Sequence, residues 1–345
     1  MTKAEKIATF DPNGLATNDG LFGLPFSLEE SAIAVVPVPW EVTVSYAGGT
    51  QAGPMAIYDA SFQVDLYDPV VKDAWKLGIF MVKPIKGLDE KSTKMRLLAE
   101  KHIKGLEKGK PKPNLLSKVN RACEEMVKAV EAQTGKLLDS GKFVYLIGGD
   151  HSTPLGYLKA LAARHEAFGV LQIDAHADLR DAFEGFTYSH ASISRNFMQL
   201  SQITKLVQVG IRDYCQEEVD FINSQPDRIQ VFFDRDLKHA QYAGATWASQ
   251  VDAIVAALPQ KVYISFDIDG LDPKLCPNTG TPVAGGFEVE QILFLVEKLV
   301  ESGRQIIGMD LNEVAPGWEE WDANVAARLV YRLANLAAKS LGLKP

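Results

Sequence analysis

Seven short apolar runs punctuate the chain: IAVVPV (33–38), FVYLIGGD (143–150), FGVLQID (168–174), KLVQVG (205–210), IQVFFD (229–234), KVYISFD (261–267) and QIIGMD (305–310). Nearly all close on glycine or an acid. Their apolar character is continuous rather than alternating, the pattern of strands covered on both faces and therefore of a mostly parallel sheet. Helix-length segments lie between them. In 119–141, Val119, Cys123, Met126, Val130 and Leu137 recur near helical spacing before Gly141, and 287–303 and 322–342 read alike. Alternating strands and helices predict one doubly wound α/β domain. The Lys-, Gly- and Pro-rich stretch 101–118 reads as a solvated loop insertion that joins the N-terminal strands to the helix at 119, and 1–32 reads as an N-terminal extension.

The 345 residues, 46% hydrophobic and 23% charged, suffice for one large core. A net charge of −8 argues against nucleic acid or an anionic membrane as partner and favours a small cationic substrate. Three widely spaced cysteines, Cys123, Cys215 and Cys276, fit neither a disulfide framework nor a zinc knuckle, so reduced thiols in a cytoplasmic protein are expected. No apolar stretch is long enough for a signal peptide or a membrane helix.

The candidate chemistry sits where strands of an α/β sheet end. His151 follows the run at 143; Asp174, His176 and Asp178 follow that at 168; Asp267 and Asp269 close that at 261; Glu313 lies beyond that at 305. Carboxylates at alternate positions, about 7 Å apart along a strand, repel one another unless a cation lies between them. Two imidazoles and four aspartates suit two divalent cations, and four negative charges balance two such ions. A binuclear phosphatase would use similar ligands, but no basic phosphate clamp accompanies them. A single-zinc deacetylase would not need six.

GGDHS (148–152), DAHAD (174–178) and SFDIDGLDP (265–273) resemble the three metal motifs of the ureohydrolase family, which contains the arginases and agmatinases. SYAGGTQAGPMAI (45–57), TGTPVAGG (279–286) and EVAP (313–316) extend the resemblance across 33 to 335. It implies a single three-layer α/β/α domain, assembly as a trimer or hexamer, and two metal ions, usually Mn²⁺, with Ni²⁺ the alternative. By motif position, His151, Asp174, Asp178 and Asp267 would hold one ion or bridge, and His176 and Asp269 would complete the second. The implied reaction is hydrolysis of a guanidinium group to urea and an amine. Glu313 would orient the planar guanidinium, Asp178 would carry the proton to the leaving nitrogen, and His190 would shuttle protons.

Substrate choice is read from the loops. Arg180 stands where arginases carry the asparagine that recognises the arginine head, so arginine is disfavoured and an agmatine-like compound expected. Thr50 and Tyr58 stand where agmatinases commonly carry arginines, and Trp40, Thr43 and Tyr46 are expected to fill the space of a longer tail. This element resembles the guanidine-hydrolysing branch, which makes free guanidine the alternative substrate. A catalytically silent scaffold is disfavoured because no ligand position is degraded. His102, His165 and His239 are read as structural.

Overall fold

The computed structural model describes residues 1–16 and 18–345. Among these residues eight strands form one sheet: β1 (Ile33–Val38), β2 (Ile79–Met81), β3 (Phe143–Gly148), β4 (Phe168–Ile173), β5 (Ile203–Val209), β6 (Ile229–Phe232), β7 (Lys261–Asp267) and β8 (Gln305–Asn312). The order is β2-β1-β3-β8-β7-β4-β5-β6, and every pairing is parallel. The seven apolar runs all became strands. The three-residue edge strand β2 is too short to leave a pattern.

Helices α1 (Lys3–Thr9), α2 (Gly53–Ser61), α3 (Leu88–Glu107), α4 (Pro113–Asp139), α5 (Leu155–Ala162) and α6 (Ile193–Phe197) accompany the first half. The second half carries α7 (Gln216–Ser224), α8 (Asp234–Tyr242), α9 (Trp247–Ala256), α10 (Val289–Glu301) and α11 (Trp321–Ser340). Because side chains alternate across a strand, each strand feeds two cores. Val35, Tyr145, Ile147, Leu171, Ile264 and Met309 pack with α2, α9, α10 and α11 on one face. Val36, Val144, Leu146, Val170 and Tyr263 pack with α3, α4 and α5 on the other. Three layers result. Residues 21–26 of the N-terminal extension join the first core through Leu21, Phe22, Leu24 and Phe26.

One expectation is corrected. The supposed loop 101–118 is mostly helix, the end of α3 and the start of α4, and only residues 108–112 connect them. Its lysines face solvent, whereas Ala99, His102 and Ile103 are buried at helical spacing. Gly109, at φ 63, supplies the left-handed residue that ends α3, and Pro113 opens α4. Composition had hidden an amphipathic hairpin.

Candidate metal centre and active site

Strands β3, β7 and β4, which lead into the candidate ligands, and β8, which leads into Glu313, are neighbours at the centre of the sheet, in the order β3, β8, β7, β4. Ile147 pairs with Leu311, Asp267 with Asn312 and Ile173 with Phe266, so the strands finish level with one another. Residues more than a hundred positions apart therefore meet at one carboxyl edge.

Three carboxylate oxygens surround one imidazole nitrogen. Nδ1 of His151 lies 3.1 Å from Asp174 Oδ2, 3.3 Å from Asp178 Oδ2 and 3.2 Å from Asp267 Oδ2. That Nδ1 is buried without a hydrogen-bond partner, while Nε2 lies 2.9 Å from the Ser265 hydroxyl, which donates to Asp310 at 3.1 Å. An Nε2–H donated to Ser265 leaves the Nδ1 lone pair aimed at the carboxylates, which is the form a metal ligand needs. His176 Nδ1 lies 3.0 Å from Asp269 Oδ2 and 3.7 Å from Asp174 Oδ1. Two ligand groups follow, His151 with Asp174 and Asp267, and His176 with Asp174 and Asp269. They share Asp174, as a bridging carboxylate requires.

The carboxylates are pre-aimed. Asp174 Oδ1 accepts the His176 N–H, Asp267 Oδ1 the Asp269 N–H and Asp269 Oδ1 the Ala175 N–H. For Asp267 and Asp269, the other oxygen faces a histidine. All six expected ligands are assembled, and an orphaned buried nitrogen ringed by carboxylate oxygens fits a divalent cation. Without a cation, burial and the Asp174 charge push Asp178 up to about 7. Burial also opposes ionisation of Asp269, but His176, the Ala175 N–H and Arg212 outweigh it and hold the carboxyl at about 2.

Glu313 is buried at φ 61, with Oε1 accepting the His151 N–H at 2.8 Å. Glu313, Asp178, Asp267, His151 and His176 line a cavity of about 170 Å³. Burial, then the Asp267 and Asp150 charges, raise the Glu313 carboxyl well above its ordinary value, so a cation beside it would be bound with the carboxylate form. His190 lines the same cavity, its Nδ1 3.4 Å from Thr43 Oγ1 and 3.3 Å from Ser189 Oγ. Burial, followed by the charges of His176 and His151, lowers it to about 3, so its ring is neutral at neutral pH.

The loop residues divide. Arg180 lines the cavity with its guanidinium 4.9 Å from the Phe183 ring centre, and Thr43 reaches the site through His190. Trp40 does not: it is fully buried, in the same core that holds Cys123 and Met126. Tyr46 is 80% exposed and borders a neighbouring groove with Trp318. Thr50 is committed to the buried carboxylate of Glu41, and Tyr58 to Asp19. Neither aromatic residue expected to shorten the cavity therefore does so.

Sequence reasoning missed Ser45, Phe183, Asp213, Tyr214, Glu218 and Thr281 on the cavity wall. Asp213 was findable, since it lies just beyond β5 at the same carboxyl edge. Ser265 and Asp310, which hold His151, precede Asp267 and Glu313 by two and three residues. Their role depends on the tautomer that packing imposes.

A parallel α/β sheet that gathers a paired His/Asp cation cage and a cavity-lining glutamate at its strand ends is the framework of a metal-dependent hydrolase. The chain belongs to the arginase family of ureohydrolases, whose family model matches residues 31–335. It is 34% identical over 293 residues to the N(1)-aminopropylagmatine ureohydrolase of Synechocystis, covering 84% of this chain and 83% of that protein. It is 27% identical to an agmatinase of Bacillus anthracis, covering 87% and 89% of the two chains. The fold matches the crystal structure of an agmatine ureohydrolase of Thermoplasma volcanium with a TM-score of 0.73, at 20% identity over 98% of this chain and 99% of that one. The family is dependent on a binuclear metal centre. No helix among the described residues is long and apolar enough to cross a membrane.

Proposed function

We propose that the protein hydrolyses a small guanidino compound without an α-amino-acid head, agmatine or an N-substituted agmatine in kind, to urea and an amine. The observation that carries this reading is the convergence of three carboxylates on the unpartnered His151 Nδ1 beside the cavity-lining Glu313. The similarity to relatives named for agmatine and aminopropylagmatine supports the substrate class. His151, Asp174, Asp178, Asp267, His176 and Asp269 would hold two divalent ions, Mn²⁺ in the first instance and Ni²⁺ as the alternative. Bound there, such ions lower the pKa of coordinated water toward neutrality.

The chain's own groups do the rest. Glu313 receives the planar guanidinium through charge-assisted hydrogen bonds and fixes its carbon over the cage. Asp178 takes a proton from the water that adds to the guanidinium carbon and returns it to the leaving nitrogen as the C–N bond breaks. His190, neutral and with Nε2 uncommitted among the described residues, relays a proton between the leaving amine and solvent. Asp213, exposed at the rim, faces the region where an ammonium tail would emerge.

Free guanidine is the second reading, favoured by one observation. Arg180 lies in the cavity wall with no acidic partner within ion-pair distance among the described residues, and it opposes a second positive charge on a tail. Urea release from agmatine, N-aminopropylagmatine, guanidinobutyrate, arginine and guanidine, each with Mn²⁺ and Ni²⁺ reconstitution, separates the readings. Preferred turnover of the amine-tailed guanidines is expected, with arginine inert. Turnover of guanidine alone would install the second reading, and inertness on all five would overturn both. Assembly as a homo-oligomer, trimer or hexamer, is part of the proposal, and sedimentation velocity tests it.

A further inference from the structure

Helix α3 sends no side chain into the cavity, yet it holds both irregular segments that wall His190. Ser92 Oγ accepts the Glu41 N–H at 2.8 Å and lies 3.3 Å from the Glu41 carbonyl. One turn later, Arg96 donates to the carbonyls of Val42 and Val44, with its Nε 3.3 Å from Glu100. Thr43 stands between those two carbonyls, and its hydroxyl accepts the His190 N–H at 3.3 Å. Residues 42–47 make no main-chain to main-chain hydrogen bond among the described residues. Side chains are what hold them, Asp150 taking the Val42 N–H and Arg96 the carbonyls.

At the other end of the helix His102 is buried, and its Nδ1 accepts the Lys112 N–H at 3.3 Å. The proton therefore sits on Nε2, which donates to the Glu184 carbonyl at 3.1 Å. Glu184 (φ 54) and Gly185 (φ 86) form the left-handed tip of a turn closed by reciprocal bonds between Phe183 and Phe186. Phe183 in that turn meets the His190 ring edge-on at 6.1 Å and carries Arg180.

We propose that Arg96 and His102 are positioning residues for the reaction: α3 is a brace that grips loop 42–44 through Arg96 and turn 183–186 through His102, and so sets the places of Thr43, Phe183 and the His190 between them. The helical hairpin that composition disguised as a loop thereby acquires a role in the site. A displacement of about 1 Å in a group that orients substrate or proton costs on the order of a hundredfold in rate, and loop 42–47 has no main-chain to main-chain hydrogen bond among the described residues to resist it. The proposal rests on the reading of His190 as a working group in guanidine hydrolysis.

The test uses the full-length, metal-reconstituted protein and its Arg96→Met, Arg96→Lys, His102→Ala and His102→Gln variants. Arg96→Met and His102→Ala are expected to lower kcat at least tenfold with KM within threefold and two metal ions retained per chain. Lysine keeps one donor and glutamine keeps both a donor and an acceptor, so each restores much of the loss. In a Thr43→Ala background, Arg96→Met is expected to cost less than threefold, while His102→Ala keeps its full cost. Hydrogen exchange should quicken in peptides covering 41–51 for Arg96→Met and 183–190 for His102→Ala, with β3, β4 and β7 unchanged. Wild-type kcat and exchange in the variants, an undiminished cost of Arg96→Met without Thr43, or exchange that quickens throughout the chain would each overturn the brace. Should the wild type release urea from no guanidine, the functional reading fails and the exchange arm alone decides whether α3 holds the two walls.

Discussion

Asp178 and Glu313 both adopt left-handed backbone, at φ 53 and φ 61, which costs a non-glycine residue about 1–2 kcal/mol each. The surroundings hold them there. Ser194 and Arg195 donate their N–H groups to the Asp178 carbonyl, and Thr279 donates its hydroxyl to that of Glu313. In Glu313→Gln the amide oxygen can still accept the His151 N–H, but the charge facing the guanidinium is gone. Its kcat/KM is expected to fall about a hundredfold, ~3 kcal/mol, with metal content unchanged by elemental analysis. Asp178→Asn removes a carboxylate whose ionisation burial and Asp174 oppose. At pH 8, after chelation, the variant should melt about 2 °C or more above the wild type by calorimetry while losing activity in the metal-loaded state.

At the scale of elements, the turn after β3 shows how a short motif is enforced. A Cβ on Gly148 would lie 1.8 Å from Asn312 Oδ1, and one on Gly149 would lie 2.2 Å from the Trp40 carbonyl. Only bare backbone lets loop 39–44, β3 and the end of β8 meet, and the Asp150 N–H to Trp40 carbonyl bond at 2.8 Å depends on it. Gly149→Ala is expected to destabilise the protein by about 2–4 kcal/mol, measured as a lower denaturant midpoint at unchanged m. The same elements explain what was legible. The buried strands announced themselves by continuous apolarity. The last turns of α3 and the first of α4 did not, because a helix whose outer face is lysine has the composition of a solvated loop, and only burial of Ala99, His102 and Ile103 distinguishes it.

Across the whole molecule, protons and metal ions compete for one cage. Burial opposes protonation of His151 and His176, but the aspartates around each outweigh it and raise both well above the ordinary histidine value. Asp178 is raised as well, to about 7, by burial and Asp174. After chelation the folded chain thus binds more protons than the unfolded one above about pH 6.5, so its stability must fall as pH rises through that window. His190, lowered to about 3, acts with the opposite sign, but only below that window. Thermal melts of EDTA-treated protein should show a midpoint that declines from pH 6.5 to 8.5. With two equivalents of Mn²⁺ the slope should reverse, since ligation needs the deprotonated groups. A pH-independent midpoint in the chelated protein would contradict this account of the cage.

Sequence alone determined the parallel sheet and the common edge at which the six candidate ligands and Glu313 meet, because each lies within a few residues of a buried strand end and strand direction carries it there. Tertiary structure decided which loop side chains face the cavity. Trp40 and Thr43 are three residues apart on one irregular segment, and the first fills the core while the second touches His190. No periodicity governs such a segment. The direction of each side chain is set by what packs beside it, here Cys123, Asp150 and α3, which come from distant parts of the chain and meet it only once the sheet is closed.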